Sequence, residues 1–330
     1  MAGKTSRRIQ LGKETTAGTA VAATAIWRGL GTIEDQTQVV FVDEDVGYLS
    51  GTDRSYIPKV QAALEMEEIE ATFEQFPYIL EGGVKLVQTG ATDTGGSGKI
   101  YTYPFPTTQS RTIRTFTIEG GDEQQAEEMQ YSFVESFKLS GRAGEAVKVS
   151  ATWLGRQVTP TTFTSGLSLA AVENILFANT VLFIDPVTTM GVTTKSATLL
   201  GFELDAKTGW APMYTADGNI YFGTAVPGPC DITMTLTFLH NGNSVAEKAA
   251  WKALTPRNIR LNITGSALQT AGTFANKTLR IDATGRWEKF DKLGEQDGND
   301  IVTGTFRVKY NETAAHTCTI TVVNEVASLP

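Results

Sequence analysis

The sequence predicts a mainly β fold, a sandwich or barrel of short strands carrying one helix in each of two tandem units, residues 1–165 and 166–330. Three observations predict it. Apolar and polar residues alternate with period two in several runs of 8 to 11 residues, the pattern of a half-buried strand. Only two stretches carry a strong helical period. The strand and helix signals recur in the same order in each half, and such self-similarity decides the fold wherever it occurs.

In the first half, Glu65 to Phe73 sets Ile69, Ala71 and Phe73 on one face and Glu68, Glu70 and Thr72 on the other. A helical stripe of Phe76, Ile79, Leu80 and Val84 follows, with Gly82 and Gly83 expected to bend or end it. Arg111, Ile113 and Arg114 open the next strand. Two closing runs come after, Met129 to Leu139 and Ala146 to Leu154, joined across Gly141 and Gly144.

The second half repeats the order. In Asp231 to Leu239, Ile232, Met234, Leu236 and Phe238 alternate with Thr233, Thr235 and Thr237, and β-branched threonine suits an exposed pleat. Ser244 stands three residues before Glu247, the spacing of a capping box. Ala246, Ala249, Ala250, Trp251 and Leu254 then form a stripe that Pro256 ends. Arg257, Ile259 and Arg260 match the earlier arginine strand, and runs from Leu279 and over Ile301 to Tyr310 close the unit. Unequal loops account for imperfect spacing: Gly90 to Gly98 and Tyr101 to Pro106 are inserted in the first half, and Glu288 to Asp300 is lengthened in the second. Ile79, Leu80, Ala250 and Trp251 are the expected helix contacts with the core.

A content of 41% hydrophobic and 19% charged residues describes a globular chain. The most apolar stretch, Leu167 to Ile184, is interrupted by Ser168, Glu173, Asn174, Asn179 and Thr180, which argues against a membrane span. Lys4, Arg7 and Arg8 are not followed by the apolar core of a secretory signal, so synthesis and retention in the cytosol are expected. Cys230 and Cys318 fit neither a zinc nor a redox spacing and are expected to be free thiols. A net charge of -8 provides no basic clamp for phosphates and argues against a sequence-reading DNA binder.

The residues that carry chemistry point away from an enzyme, a cofactor and a bound metal. His240 and His316 are the only histidines, one beside an Asn-Gly turn and one in the terminal strand region, and both read as structural. No nucleophile elbow, phosphate loop or zinc helix occurs. The acidic sets Glu65, Glu67, Glu68, Glu70 and Asp122, Glu123, Glu127, Glu128 read as solvated faces. Asp43, Glu44 and Asp45, like Asp297 and Asp300, lack the full calcium-loop pattern. The acceptor triplets at Asn262, Asn276 and Asn311 matter only in a secreted protein. Gly95-Gly96-Ser97-Gly98 reads as a loop tip.

Several stretches resemble the major tail tube protein of long, non-contractile-tailed bacteriophages. Gly12 to Ala20 resembles that family's N-terminal arm, Glu65 to Lys85 its inner strand and packed helix, and Asp297 to Phe306 with Val322 to Glu325 its closing strands. The resemblance implies a structural virion protein, assembled in the host cytoplasm into the tail. Its inner sheet would join those of neighbours around a hollow tube for genome ejection. Three two-unit chains would form a pseudo-hexameric ring, and the rings would stack. Implied partners are further copies, the tape-measure, tail-terminator and distal tail proteins, and DNA in passage without specific binding. Glu68, Glu70, Thr72, Thr233, Thr235 and Thr237 would face the channel, and Lys4, Arg7 and Arg8 would lie in an arm between rings. The alternatives are an extracellular β-sandwich module that binds a carbohydrate or receptor, which predicts a monomer, and a carboxylate-based hydrolase, which predicts turnover.

Overall fold

The computed structural model describes residues 6–108 and 111–329 as a mainly β fold with few helices. In chain order come β1 (Arg8–Lys13), β2 (Ala25–Trp27), β3 (Gly31–Asp35), β4 (Gln38–Phe41), β5 (Ser55–Lys59), β6 (Ala62–Glu70), helix α1 (Phe76–Gly83), β7 (Ala91–Thr92), β8 (Lys99–Pro104), β9 (Phe116–Gly121), β10 (Ala126–Arg142), β11 (Lys148–Gly155) and β12 (Val158–Thr161). After the connection that contains Ser165 come β13 (Thr180–Asp185), β14 (Leu199–Lys207), β15 (Trp210–Met213), β16 (Thr224–Pro227), β17 (Asp231–Leu239), helix α2 (Gly242–Lys252), β18 (Arg257–Ala267), β19 (Asn276–Phe290), β20 (Gly294–Gln296), β21 (Asn299–Val308) and β22 (Cys318–Asn324).

Two long strands organise the sheets. The N-terminal part of β10 lies between β9 and β12, and its C-terminal part lies between β11 and β14. β19 does likewise, first between β18 and β22 and then against β21. Each carries a bulge on its C-terminal part, Val134 and Ser136 standing opposite Trp153 and Thr152, and Trp287 and Lys289 opposite Phe306 and Thr305. The extra residue is a glutamate both times, Glu135 and Glu288. A bulge bends its strand and sharpens its twist, and each lies three residues past the last pairing with the neighbouring sheet, at Ser132 and at Gly285; β10 has a further register shift between Met129 and Ser132.

The resulting large sheet runs β3-β6-β11-β10-β14-β17-β21-β19, antiparallel throughout. Among the described residues no pairing joins the C-terminal part of β19 to β3, so this sheet is open at both ends. Two further sheets lie beside it, β2-β1-β9-β10-β12 and β13-β18-β19-β22-β8-β7. The Gly-rich and tyrosine-containing insertion of the first half is thus more than a loop. Its strand β8 crosses to pair with β22, with Tyr101 opposite Val322 and Tyr103 opposite Ile320.

Between these sheets lies one continuous core. Trp153 meets Phe116 edge to face at 5.5 Å, and Trp287 meets Phe306 at 5.2 Å, Phe238 at 5.8 Å and Phe290 at 4.9 Å. Helix α1 is buried on all sides, Ile79 and Leu80 completely. It ends at Gly83 as the glycine pair predicts, and both glycines are also needed for close approach. A Cβ at Gly82 would lie 2.7 Å from the Trp153 ring, and one at Gly83 2.8 Å from Thr208. Helix α2 is peripheral: Ala250 is buried, while Trp251 is half-buried and donates its indole N–H to the Glu288 carbonyl at 3.0 Å.

Four expectations need correction. The first inner strand spans Ala62–Glu70, so Ala71 to Phe73 lie beyond it. Arg111 to Arg114 precede β9 and form no strand. Phe116 opposite Ser132 holds the place of Arg257 opposite Gly285, three residues before the shared bulge, so the arginine match is coincidental. The cap of α2 is Asn241, whose side chain accepts from the Asn243 and Ser244 N–H groups while Ser244 Oγ accepts from the Asn241 N–H. Glu247 is instead buried and accepts from Arg257 Nε and Trp287 Nε1, both at 3.0 Å. Finally, the β10–β11 and β19–β21 connections are equal in length when counted from the bulges, so the second is not lengthened.

Burial pushes the Glu81 carboxyl on α1 up to about 7, against the opposing pull of Lys13 and Arg114. Between its ordinary value and about 7 the folded chain holds a proton that the unfolded chain releases, so stability falls as pH rises through that window. We expect up to about 3 kcal/mol from this one group. Glu81→Gln should flatten the dependence of Tm on pH between 5 and 7, measured by circular dichroism.

Candidate assembly surface

One face of the large sheet packs on the core and the other is polar. On β17, Ile232, Met234, Leu236 and Phe238 are buried, while Thr233, Thr235 and Thr237 are half-buried on the opposite face. The same alternation continues through Glu203 and Asp205 on β14, Ser136, Lys138 and Ser140 on β10, and Lys148, Ser150 and Thr152 on β11. A cavity of about 750 Å³ lies on this polar face across β10, β14 and β17, so the face is concave there. Glu68 lines it, together with Lys138, Glu203, Thr235 and Thr237.

The charges on the face are largely matched. Lys138 Nζ lies 2.9 Å from Glu203, which holds the ammonium above its ordinary range. Lys148 lies 3.3 Å from Glu145 and 3.9 Å from Glu68, and stands opposite Glu70 across the β6–β11 pair. Arg307 bridges Asp231 and Glu288 at 2.9 and 3.0 Å. Burial, then the neighbouring Glu203, pushes the Asp205 carboxyl up. Pairs this exposed contribute at most about 1 kcal/mol each to stability. Their effect is a surface on which fixed positive charge is answered locally by carboxylates.

Of the residues expected in a channel, Glu68, Glu70, Thr233, Thr235 and Thr237 share this face. Thr72 does not: it is buried beyond β6, where its hydroxyl accepts from the Gln75 N–H. Of the expected arm, Lys4 lies outside the described residues. Arg7 is exposed, and Arg8 belongs to β1, where it pairs with Gly121 and stacks its guanidinium 4.1 Å over the Phe163 ring. Arg8 is therefore part of the body of the fold. Lys138, Ser140, Glu203 and Asp205 were missed as face residues, because only the pairing of β10 and β14 beside β17 joins them to the threonine face.

The chemical candidates are held in structural contacts. His316 Nδ1 lies 2.9 Å from Thr284 Oγ1, and its Nε2 lies 3.0 Å from Thr319 Oγ1. The Glu44 carboxylate takes hydrogen bonds from Thr52 and Arg54. Cys318 is buried, and Cys230 donates to the Thr208 carbonyl. Among the described residues no group of three or more His, Cys, Asp or Glu side chains is placed to hold a metal ion. No described helix is long and apolar enough to cross a membrane.

The order of pairings repeats along the chain. β3 pairs β6, β6 pairs β11 and β11 pairs β10; in parallel β14 pairs β17, β17 pairs β21 and β21 pairs β19. Beside them β1 pairs β9 and β9 pairs β10, as β13 pairs β18 and β18 pairs β19. Each series carries its helix directly after the second strand. The two series join at β10–β14, where Leu139 meets Leu204 and Lys138 meets Asp205. By position in the series, the counterparts of β10 and β14 are β19 and β3, the two strands at the open edges. No protein-family model matches the chain, and no curated protein matches its sequence.

If the polar face carries no folding load, Thr235→Ala and Lys138→Ala should each change unfolding free energy by less than about 1 kcal/mol. Met234→Ala, one residue from Thr235 on the core side, should cost about 2 to 5 kcal/mol. Urea denaturation at low protein concentration separates the two classes.

Proposed function

We propose that this chain is a tube-forming structural subunit of the tail of a long, non-contractile-tailed bacteriophage, built from two tandem copies of one tail-tube unit divided near Ser165. The β10–β14 junction carries the proposal. A strand of the β10 type already pairs there with a strand of the β14 type, and one more of each stands at the outer edges with no partner on its outer side among the described residues. An edge strand is a template for pairing, and a repeated rotation that closes on itself leaves no edge unpaired. Joining β19 of one copy to β3 of the next repeats the internal junction between chains. Three chains would place six units in a pseudo-hexameric ring, and stacked rings would form the tube.

The polar, concave face becomes the lumen on this reading. Threonine hydroxyls and locally matched charges give DNA phosphates little to bind, so the genome slides past them. The tape-measure, tail-terminator and distal tail proteins are the partners that such a tube requires.

Purified chain should elute well above its 35.6 kDa monomer mass in size-exclusion chromatography with light scattering. Negative-stain images should show rings or hollow tubes about 100 Å across, the width of six domains of roughly 25 to 30 Å in a circle. A chain that stays monomeric at high concentration would refute the assembly and favour a sandwich that binds a ligand alone.

A further inference from the structure

We propose that the β4–β5 hairpin of one copy seats in the cleft formed by β19 and β21 of the neighbouring copy, with Asp53 facing the neighbour's Lys309. This rests on the assembly reading above, and names a contact that reading does not require.

The precedent lies inside the chain. Each series has a hairpin between its first and second strands, β4–β5 between β3 and β6, and β15–β16 between β14 and β17. Their registers agree: Val40 opposite Tyr56 and Phe41 opposite Ser55 correspond to Ala211 opposite Val226 and Pro212 opposite Ala225. The second hairpin leans back onto the first series. Trp210 and Phe222 are buried with Tyr131, Phe133 and Leu154, and the Phe222 ring lies 5.2 Å from Tyr131 and 5.9 Å from Phe133. Arg156 clamps this hairpin by donating to the carbonyls of Phe222 and Gly223 at 3.1 Å each.

Counting from the shared bulge and its partner strand, the places of Phe133, Leu154 and Arg156 are taken in the second series by Arg286, Arg307 and Lys309. A cavity of about 350 Å³ opens there, lined by Arg286, Trp287, Arg307, Lys309 and Tyr310 among others. Arg307 already holds Asp231 and Glu288, whereas Arg286 and Lys309 are exposed and pair with no carboxylate among the described residues. On the first hairpin, the places of Phe222 and Gly223 fall to Thr52 and Asp53, and the same loop carries exposed Asp43 and Asp45. Phe41, Tyr48 and Tyr56 on this hairpin are also exposed, at 69%, 70% and 55%.

The cleft has thus changed from the apolar Phe133 and Leu154 to Arg286 and Arg307, with Lys309 keeping the positive charge of Arg156, and the outer hairpin presents Asp53 where the inner one has Gly223. Complementary charge of this kind steers separate molecules into register and rejects wrong pairings. The hairpin and the cleft belong to opposite edges of an eight-strand sheet, about 34 Å apart along it at the usual strand spacing, so one chain does not satisfy itself.

Two measurements on the full chain test this. Thr52→Cys combined with Arg286→Cys, oxidised during assembly, should give a ladder of covalent oligomers on non-reducing gels. Neither single variant should do so, nor the parent chain, which retains Cys230 and Cys318. Asp53→Lys or Lys309→Glu alone should raise the concentration needed for assembly at least tenfold, and the double swap should return it to within threefold of the parent. A parent that assembles, with no ladder and no response to either swap, overturns the hairpin contact and leaves the tube reading standing. A parent that never assembles overturns both.

Discussion

The architecture depends on the bend at which β10 and β19 each pass from one sheet to the next, near Tyr131 and near Gly285. An antiparallel strand of 17 or 15 residues with regular hydrogen bonding would run on in a single sheet. The change of partners falls between Met129 and Phe133 in β10 and between Ile281 and Trp287 in β19, so that the two residues of each pair line different parts of the space between sheets. The aromatic side chains around each bend, Trp153 and Phe116 in one series and Trp287, Phe306 and Phe238 in the other, fill the volume that the bend encloses. Glycines at 82 and 83 let helix α1 press against the first of these clusters where any side chain would intrude.

From that bend follows the unequal treatment of the two faces of the large sheet. Side chains on one face are drawn into a shared core, which commits them to apolar chemistry. Those on the other line a concavity, and they are threonine, serine, lysine and carboxylates. Cross-strand pairs such as Lys138 with Glu203 add little to stability, but they keep a sheet of this size from presenting an apolar surface.

A repeated series that joins head to tail within one chain leaves a head and a tail at its ends. The internal junction uses Leu139 against Leu204, and its hairpin is anchored by Trp210 and Phe222, a contact made between segments already tethered. At the outer edges Ile33 on β3 keeps the apolar character of Leu204, while Arg286 and Arg307 take the places of Phe133 and Leu154 that receive the internal hairpin. Charged edges limit indiscriminate strand pairing while leaving a specific partner able to dock.

The sequence alone determined which residues face the core along β17, because strict alternation of Ile232, Met234, Leu236 and Phe238 with three threonines has only one amphipathic solution. It also located both helices and the order of signals in each half, since period and composition are local properties. It misjudged whatever depended on partners distant along the chain. The boundary at Glu70, the arginine match that in register belongs to Phe116, and the cap at Asn241 were each decided by which strand or turn lay alongside. Arg8 was drawn into β1 by its pairing with Gly121, and Thr72 was turned inward by the start of α1. The tertiary structure alone decided that one strand serves two sheets, that β8 crosses to β22, and which strands are left at the edges. Hydrogen-bond partners between strands are set by register over many residues of separation, and the alternation that marks a strand carries no label for its neighbour.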